Sequence, residues 1–215
     1  MSAFNEISEA LQKGKRKVVV EVVQKALDDG ASAKDILDKG LLSAMEIIGE
    51  KFKNNEVFVP EVLMAAKAMN DATALLKPFL VEQGVEPMGK AIIGTVKGDM
   101  HDIGKNLVAL MMEGKGIEVI DLGVDVSAEM FYDAFERENA KIIACSSLLT
   151  TTMGEMKNVV DYFREKGKRD QVTIMVGGAL VTDSFCESIG ADVYTPDAAT
   201  AADSAKSILN QSSVG

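Results

Sequence analysis

Through about residue 80, apolar residues recur at helical spacing. Phe4, Ile7 and Leu11 share one side of a first helix, and Val19, Val22, Val23, Ala26 and Leu27 one side of a second, which Asp28-Asp29-Gly30 ends. Ser32-Ala33-Lys34-Asp35 has the form of a capping box, with Asp where Glu or Gln is usual. Leu37, Leu41, Met45, Ile48 and Phe52 line a third helix, broken at Lys53-Asn54-Asn55-Glu56. Pro60 suits the first turn of a fourth helix. That helix turns Leu63, Ala66, Met69, Thr73 and Leu76 inward and stops before Pro78. Four amphipathic helices with short connections predict a four-helix bundle.

The period changes after Glu82-Gln83-Gly84-Val85-Glu86-Pro87-Met88-Gly89, which reads as a linker. Short apolar runs follow at Ala91–Val96, Glu118–Leu122, Ile142–Ser146, Thr173–Val176 and Asp192–Tyr194, separated by helical stretches near 104–115, 128–138, 153–167, 182–189 and 198–210. Alternating strand and helix predicts an α/β domain with a parallel sheet covered on both faces. Five strands in this length fit the flavodoxin-like order 2-1-3-4-5. The expected organisation is a helical cap over 1–88 and an α/β domain over 89–215. No internal repeat or low-complexity tract interrupts it.

The 215 residues suit one large domain or two small ones. At a net charge of −10 the chain is a poor match for nucleic acid or an anionic membrane, which need clustered Lys and Arg. Its one basic run, Lys13-Gly14-Lys15-Arg16-Lys17, reads as a solvated helix end. No apolar run reaches the roughly 18 residues of a membrane span, and Met1-Ser2-Ala3-Phe4-Asn5-Glu6 lacks the basic and apolar regions of a signal peptide. A cytoplasmic protein is expected. Cys145 and Cys186 form neither a disulfide framework nor a CxxC pair, and Cys145 reads as a buried structural thiol. The 12 methionines suit adaptable core packing.

The chemistry concentrates in Asp99-Met100-His101-Asp102-Ile103-Gly104, which holds the sole histidine. One histidine and two scattered thiols cannot build a Cys/His zinc site. A metal held here must arrive with most of its ligands supplied. One imidazole nitrogen can ligate while a carboxylate holds the other N–H and fixes the tautomer. A loop histidine bonded to Asp99 without any metal has the same local sequence. In the expected strand order the chain reverses between strands 1 and 3, and ligands bind at the carboxyl ends of strands beside such a switch point. His101 follows strand 1, Ser146-Ser147-Leu148-Leu149-Thr150-Thr151-Thr152 follows strand 3, and Gly177-Gly178 follows strand 4.

These pieces resemble the cobalamin-binding signature Asp-x-His-x-x-Gly, Ser-x-Leu and Gly-Gly. Its gaps are matched: 41 residues separate Gly104 from Ser146, and 28 separate Leu148 from Gly177. With the helical segment included, the resemblance covers nearly the whole chain. It points to the cobalamin-binding module of methionine synthase and the small corrinoid proteins of methyltransferase systems.

The resemblance implies cobalamin bound with its dimethylbenzimidazole displaced and His101 ligating the cobalt. Asp99 would hold the other ring nitrogen. Thr152, where the family has serine, would extend the relay towards solvent. The nucleotide tail would lie beside Ser146, Leu148, Gly177 and Gly178, and Ile103, Gly104 and Thr150 would also bind the cofactor. Asp102 is either a second polar contact or a solvated loop charge. Phe52, Val59 and Val62 would shield the upper face, though bundle core would show the same pattern.

The implied role is a methyl carrier without a substrate site of its own. It would serve a substrate-specific methyltransferase, an acceptor methyltransferase working on tetrahydrofolate or coenzyme M, and a reductive activator. Three other classes share parts of the pattern. A cobalamin-dependent sensor or regulatory module would add a DNA-binding part, a mutase small subunit would lack the cap, and a response-regulator-like domain would need an acidic phosphorylation pocket.

Overall fold

The structure is a computed structural model and describes residues 2–212. Met1 and residues 213–215, the outer ends of the two segments expected from the sequence, lie outside them. Contacts divide the chain into two compact units. One runs to Pro87 and takes in Gly114–Gly116; the other holds Met88–Glu113 and everything from Ile117.

The first unit is helical: α1 (Ala3–Gln12), α2 (Arg16–Asp28), α3 (Ala33–Asp35), a π-helical segment (Ile36–Leu42), α4 (Ser43–Lys53) and α5 (Val59–Glu82). Ser32 caps α3, its Oγ accepting from the Asp35 N–H at 3.0 Å. The π segment was not legible in the sequence, and it changes which residues are buried. Ile36 and Leu41, five apart, are both fully buried, whereas Leu37 is only half-buried. A π turn spaces one face by about four to five residues, so Ile36 takes the place expected for Leu37.

Helix α5 corrects a second expectation, because it runs through Pro78 to Glu82. Proline withholds the N–H that Ala74 C=O would accept, but both residues are exposed and water can serve that carbonyl. Leu76 and Leu80, both buried, anchor the last turns. The stop comes at Gly84, where φ is +65° and Val85 N–H returns to Leu80 C=O at 2.9 Å. The buried face of α5 is Val62, Ala65, Ala66, Met69, Ala72 and Leu76; Leu63 and Thr73 are half-buried. Within the basic run, Arg16 bonds Asp71 of α5 through Nε and Nη2. The run is otherwise the solvated helix end that the sequence suggests, and Arg16, itself exposed, adds a tie between two helices.

The second unit is a five-stranded parallel sheet: β1 (Lys90–Thr95), β2 (Glu118–Asp121), β3 (Ile142–Ser146), β4 (Thr173–Gly177) and β5 (Val193–Tyr194). The order is β2-β1-β3-β4-β5, as the sequence predicts. Helices α6 (Ile103–Glu113), α7 (Ala128–Glu138), α8 (Gly154–Glu165), α9 (Asp183–Ile189) and α10 (Ala198–Ser212) connect and flank it. Ile92, Ile143, Ile174 and Val176 share a core with Phe131 of α7 and Phe163 of α8. Ile93, Ala144 and Met175 alternate with them and face the other side of the sheet. Cys145 lies within the first core, where burial pushes its thiol up to about 12 and leaves it a neutral packing group. Among the described residues, no helix is long and apolar enough to cross a membrane.

Candidate cofactor site

Strand register brings the three motif pieces together. Thr95, the last residue of β1, pairs with Ser146, and Ser146 pairs with Gly177. The carboxyl ends of β1, β3 and β4 therefore lie side by side at the switch point. The loop after β1 is tied back over its own strand: Thr95 is fully buried and donates through Oγ1 to His101 C=O at 2.8 Å. The far side of that loop is held by Asp125. Its Oδ1 accepts from Gly98 N–H at 2.7 Å, and its own N–H donates to Asp99 C=O at 3.1 Å.

Asp99 is the centre of the site. It is fully buried, yet both carboxylate oxygens are well served. Oδ1 accepts from the His101 backbone N–H at 3.0 Å and from His101 Nδ1 at 2.7 Å. Oδ2 accepts from Leu148 N–H at 2.8 Å and from Thr152 Oγ1 at 2.9 Å. Burial alone would raise this carboxyl, but the N–H groups of Leu148 and His101, the imidazole and the Thr152 hydroxyl outweigh it. They hold Asp99 well below the usual carboxylate range, so it is ionised and only accepts. Nδ1 of His101 must therefore carry a proton. In the neutral imidazole Nε2 is then the ring nitrogen with a lone pair, on a side chain that is 51% exposed.

The surroundings suit a large, flat, mostly apolar group carrying a metal in want of one imidazole. Met100 and Ile103 are 68% and 77% exposed beside His101, and Leu148, Leu149 and Leu180 are exposed on the neighbouring loops. A Cβ built on Gly104 would meet nothing within 4 Å. Among the described residues no three His, Cys, Asp or Glu side chains converge, so a metal here depends on ligands it brings with it.

The remaining candidates separate by what they touch. Leu148 serves Asp99 through its backbone, and Ser146 C=O accepts from Val96 N–H at 3.0 Å. Thr150 is exposed and outside the Asp99 network. Asp102 is exposed and accepts from Asn106 Nδ2 at 3.2 Å in the first turn of α6. Thr152 is buried, and its methyl lies 3.5 Å from the Cβ position of Gly98, an ordinary contact, so the glycine there answers to its φ of +79° and not to a need for space. For Gly178 the reason turns out to lie inside the protein. At φ +143°, a Cβ there would sit 1.8 Å from Ser147 C=O, so this glycine lets the β4 loop close on the β3 loop. Gly177 is less constrained, its nearest neighbour being Thr195 C=O at 3.8 Å. In the helical unit Phe52 and Val59 are half-buried, whereas Val62 is fully buried.

Two site residues were missed in the sequence. Ser147 is fully buried, with Oγ 2.9 Å from Thr152 Oγ1. It sits in a run of hydroxyl residues, and nothing in the run distinguishes it. Lys105 is also buried, its Nζ 2.5 Å from Asp121 Oδ2 and 2.6 Å from Asn106 Oδ1, which pins α6 to the end of β2. A lysine directly after the glycine of the motif, in a helix rich in Leu and Met, is the one available hint.

Comparison with known proteins agrees with this site. Residues 89–205 match the family model for the B12 binding domain, and residues 3–77 match a second B12 binding domain model. The chain belongs to the B12-binding corrinoid proteins. It is 38% identical over 214 residues to a corrinoid protein of Desulfitobacterium hafniense, covering 98% of this chain and 99% of that one. It is 40% identical over 211 residues to a monomethylamine corrinoid protein of Methanosarcina mazei, covering 96% and 97%. A chain in the crystal structure of the methanol:cobalamin methyltransferase complex of Methanosarcina barkeri superposes with a TM-score of 0.88. It is 30% identical, with 97% of this chain and 80% of that chain covered. Cobalamin is the cofactor of this corrinoid protein.

Proposed function

We propose that this corrinoid protein carries a methyl group between a substrate-specific methyltransferase and an acceptor methyltransferase, with His101 as the protein ligand to cobalt. Bound cobalamin supplies a cobalt centre that accepts a methyl group and gives it up to a nucleophile. The observation that carries the reading is the ionised, buried Asp99 holding Nδ1–H of a half-exposed His101, which leaves Nε2 available to a metal. A carboxylate behind an imidazole makes it a stronger and better-oriented donor. The open space at Gly104 and the exposed Met100 and Ile103 would lie against the corrin, and Leu148 beside the nucleotide tail. Ser146, Thr150, Gly177 and Gly178 would border the nucleotide tail. Phe52 and Val59, the partly open members of the helical trio, would shield the upper face, with Val62 supporting them from the core.

For the donor we favour a small methylated amine or methanol. Relatives named monomethylamine, dimethylamine and trimethylamine corrinoid proteins are 37–40% identical over at least 90% of this chain. The acceptor would be tetrahydrofolate or the thiol of coenzyme M, with a reductive activator restoring oxidised cobalt. The deciding test is the visible spectrum after reconstitution with hydroxocobalamin and removal of free corrin, beside His101→Ala. The expected result is a retained corrin whose spectrum changes in the variant. Identical spectra would remove His101 as ligand.

A further inference from the structure

Thr152 is not the end of the chain of hydrogen bonds leading to His101. Behind it stands Ser147, fully buried, with Oγ 2.9 Å from Thr152 Oγ1, 3.3 Å from Leu149 C=O and 3.4 Å from Asp99 Oδ2. Thr152 Oγ1 can reach Asp99 Oδ2 at 2.9 Å or Leu149 C=O at 3.1 Å. Each hydroxyl has one proton to donate. The arrangement that uses the shortest contacts runs from Ser147 to Thr152 and from Thr152 to Asp99. A second arrangement turns Thr152 to Leu149 C=O and leaves Oδ2 to Leu148 N–H and the longer Ser147 contact. Both hydroxyls are shut away from solvent, so the two arrangements interconvert by rotating O–H bonds, with no proton gained or lost.

We propose that Ser147 is a positioning residue for the cobalt ligand: its hydroxyl, by donating to Thr152, fixes the Thr152 proton on Asp99 and so sets how strongly Asp99 pulls on His101 Nδ1–H. This rests on the reading of His101 as the ligand. The physical cause is cooperativity. A hydroxyl that accepts a hydrogen bond donates a stronger one, and a carboxylate that receives a stronger bond on Oδ2 has less charge to offer on Oδ1. Ser147 therefore moderates the basicity of the imidazole, and the site holds the means of that moderation inside the protein. Sequence position alone would make Ser147 the unspecified middle residue of Ser-x-Leu. The constraint on Gly178 supports its place in the design, since the β4 loop closes on the Ser147 carbonyl at a distance no side chain would permit.

The sole histidine makes the test direct. Untagged apoprotein labelled with 15N-histidine gives one pair of ring nitrogen signals and one Nδ1–H proton, recorded at alkaline pH. Ser147→Ala should keep the tautomer and move the Nδ1–H proton downfield, because Asp99 becomes the stronger acceptor. Thr152→Val should move it further. Because Ser147 acts through Thr152, its effect should fall by more than half in the Thr152→Val background. An equal shift in both backgrounds, or no shift in folded Ser147→Ala protein, overturns the proposal. The hydroxocobalamin experiment separates the two failures. Loss of corrin retention in the wild type would refute the cofactor-site reading whatever the NMR shows. Retained, histidine-ligated corrin with an unmoved Nδ1–H would refute the role of Ser147 alone.

Discussion

The helical unit and the carboxyl edge of the sheet both hold candidate cofactor residues, but they declare them to very different degrees. At the sheet edge the candidates are polar groups buried at a cost. A buried carboxylate survives only because Leu148, His101 and Thr152 each donate to it. Such a cluster has no cheap structural explanation, so it reads as a site. In the bundle the candidates are Phe52, Val59 and Val62, and apolar residues at helical spacing would be there in any bundle. The difference shows that function is legible where it opposes stability and hidden where the two coincide.

Substitutions can break or sharpen this contrast. The largest effect is expected from Gly178→Ala, whose new methyl would collide with Ser147 C=O; a loss of about 4 kcal/mol or more in urea unfolding would match backbone strain at a special position. Asp99→Asn comes next, at about 3 kcal/mol near neutral pH, since charge-assisted bonds to a buried group are lost. The pH profile tests the cause. A carboxyl held below its unfolded value stabilises the fold above that value and loses this contribution as pH falls. The gap between wild type and Asp99→Asn should therefore be full above about pH 5 and close progressively below about pH 4. A gap independent of pH would assign the loss to packing.

Smaller effects divide the bundle residues. Val62→Ala should cost about 2 kcal/mol, as for a fully buried side chain, with little change in the bound corrin. Phe52→Ala, at a half-buried position, should cost less stability and speed photolysis of bound methylcobalamin. An unchanged photolysis rate would make Phe52 core alone. The smallest effect on the fold belongs to Gly104→Ala, where a Cβ meets nothing. Its melting temperature should stay within a degree or two of wild type, while corrin retention after gel filtration drops. Unchanged retention would place the corrin away from Gly104.

The order β2-β1-β3-β4-β5 was legible because strand and helix alternate and short parallel crossovers leave few topologies. That order also brings the histidine loop after β1 beside the run of hydroxyls after β3, but only the resemblance singled out Thr152 within that run. The end of α5 was not legible. Pro78 is a breaker by local rules, and only the burial of Leu80 and the exposure of Ala74 decide that the helix continues. The π segment escaped for a similar reason: a shift from Leu37 to Ile36 is one residue in sequence and a change of face in space.

By itself the sequence determined the helix-then-α/β plan, the sheet order and the histidine loop, because periodicity and motif spacing are local records of which faces must be buried. Tertiary structure decided which hydroxyls reach Asp99, that Ser147 stands behind Thr152, and that Gly178 answers to a carbonyl of the neighbouring loop. Those facts depend on distances fixed to within a few tenths of an ångström, some of them between residues far apart in the chain. Such distances are set when whole elements pack, and no local pattern encodes them.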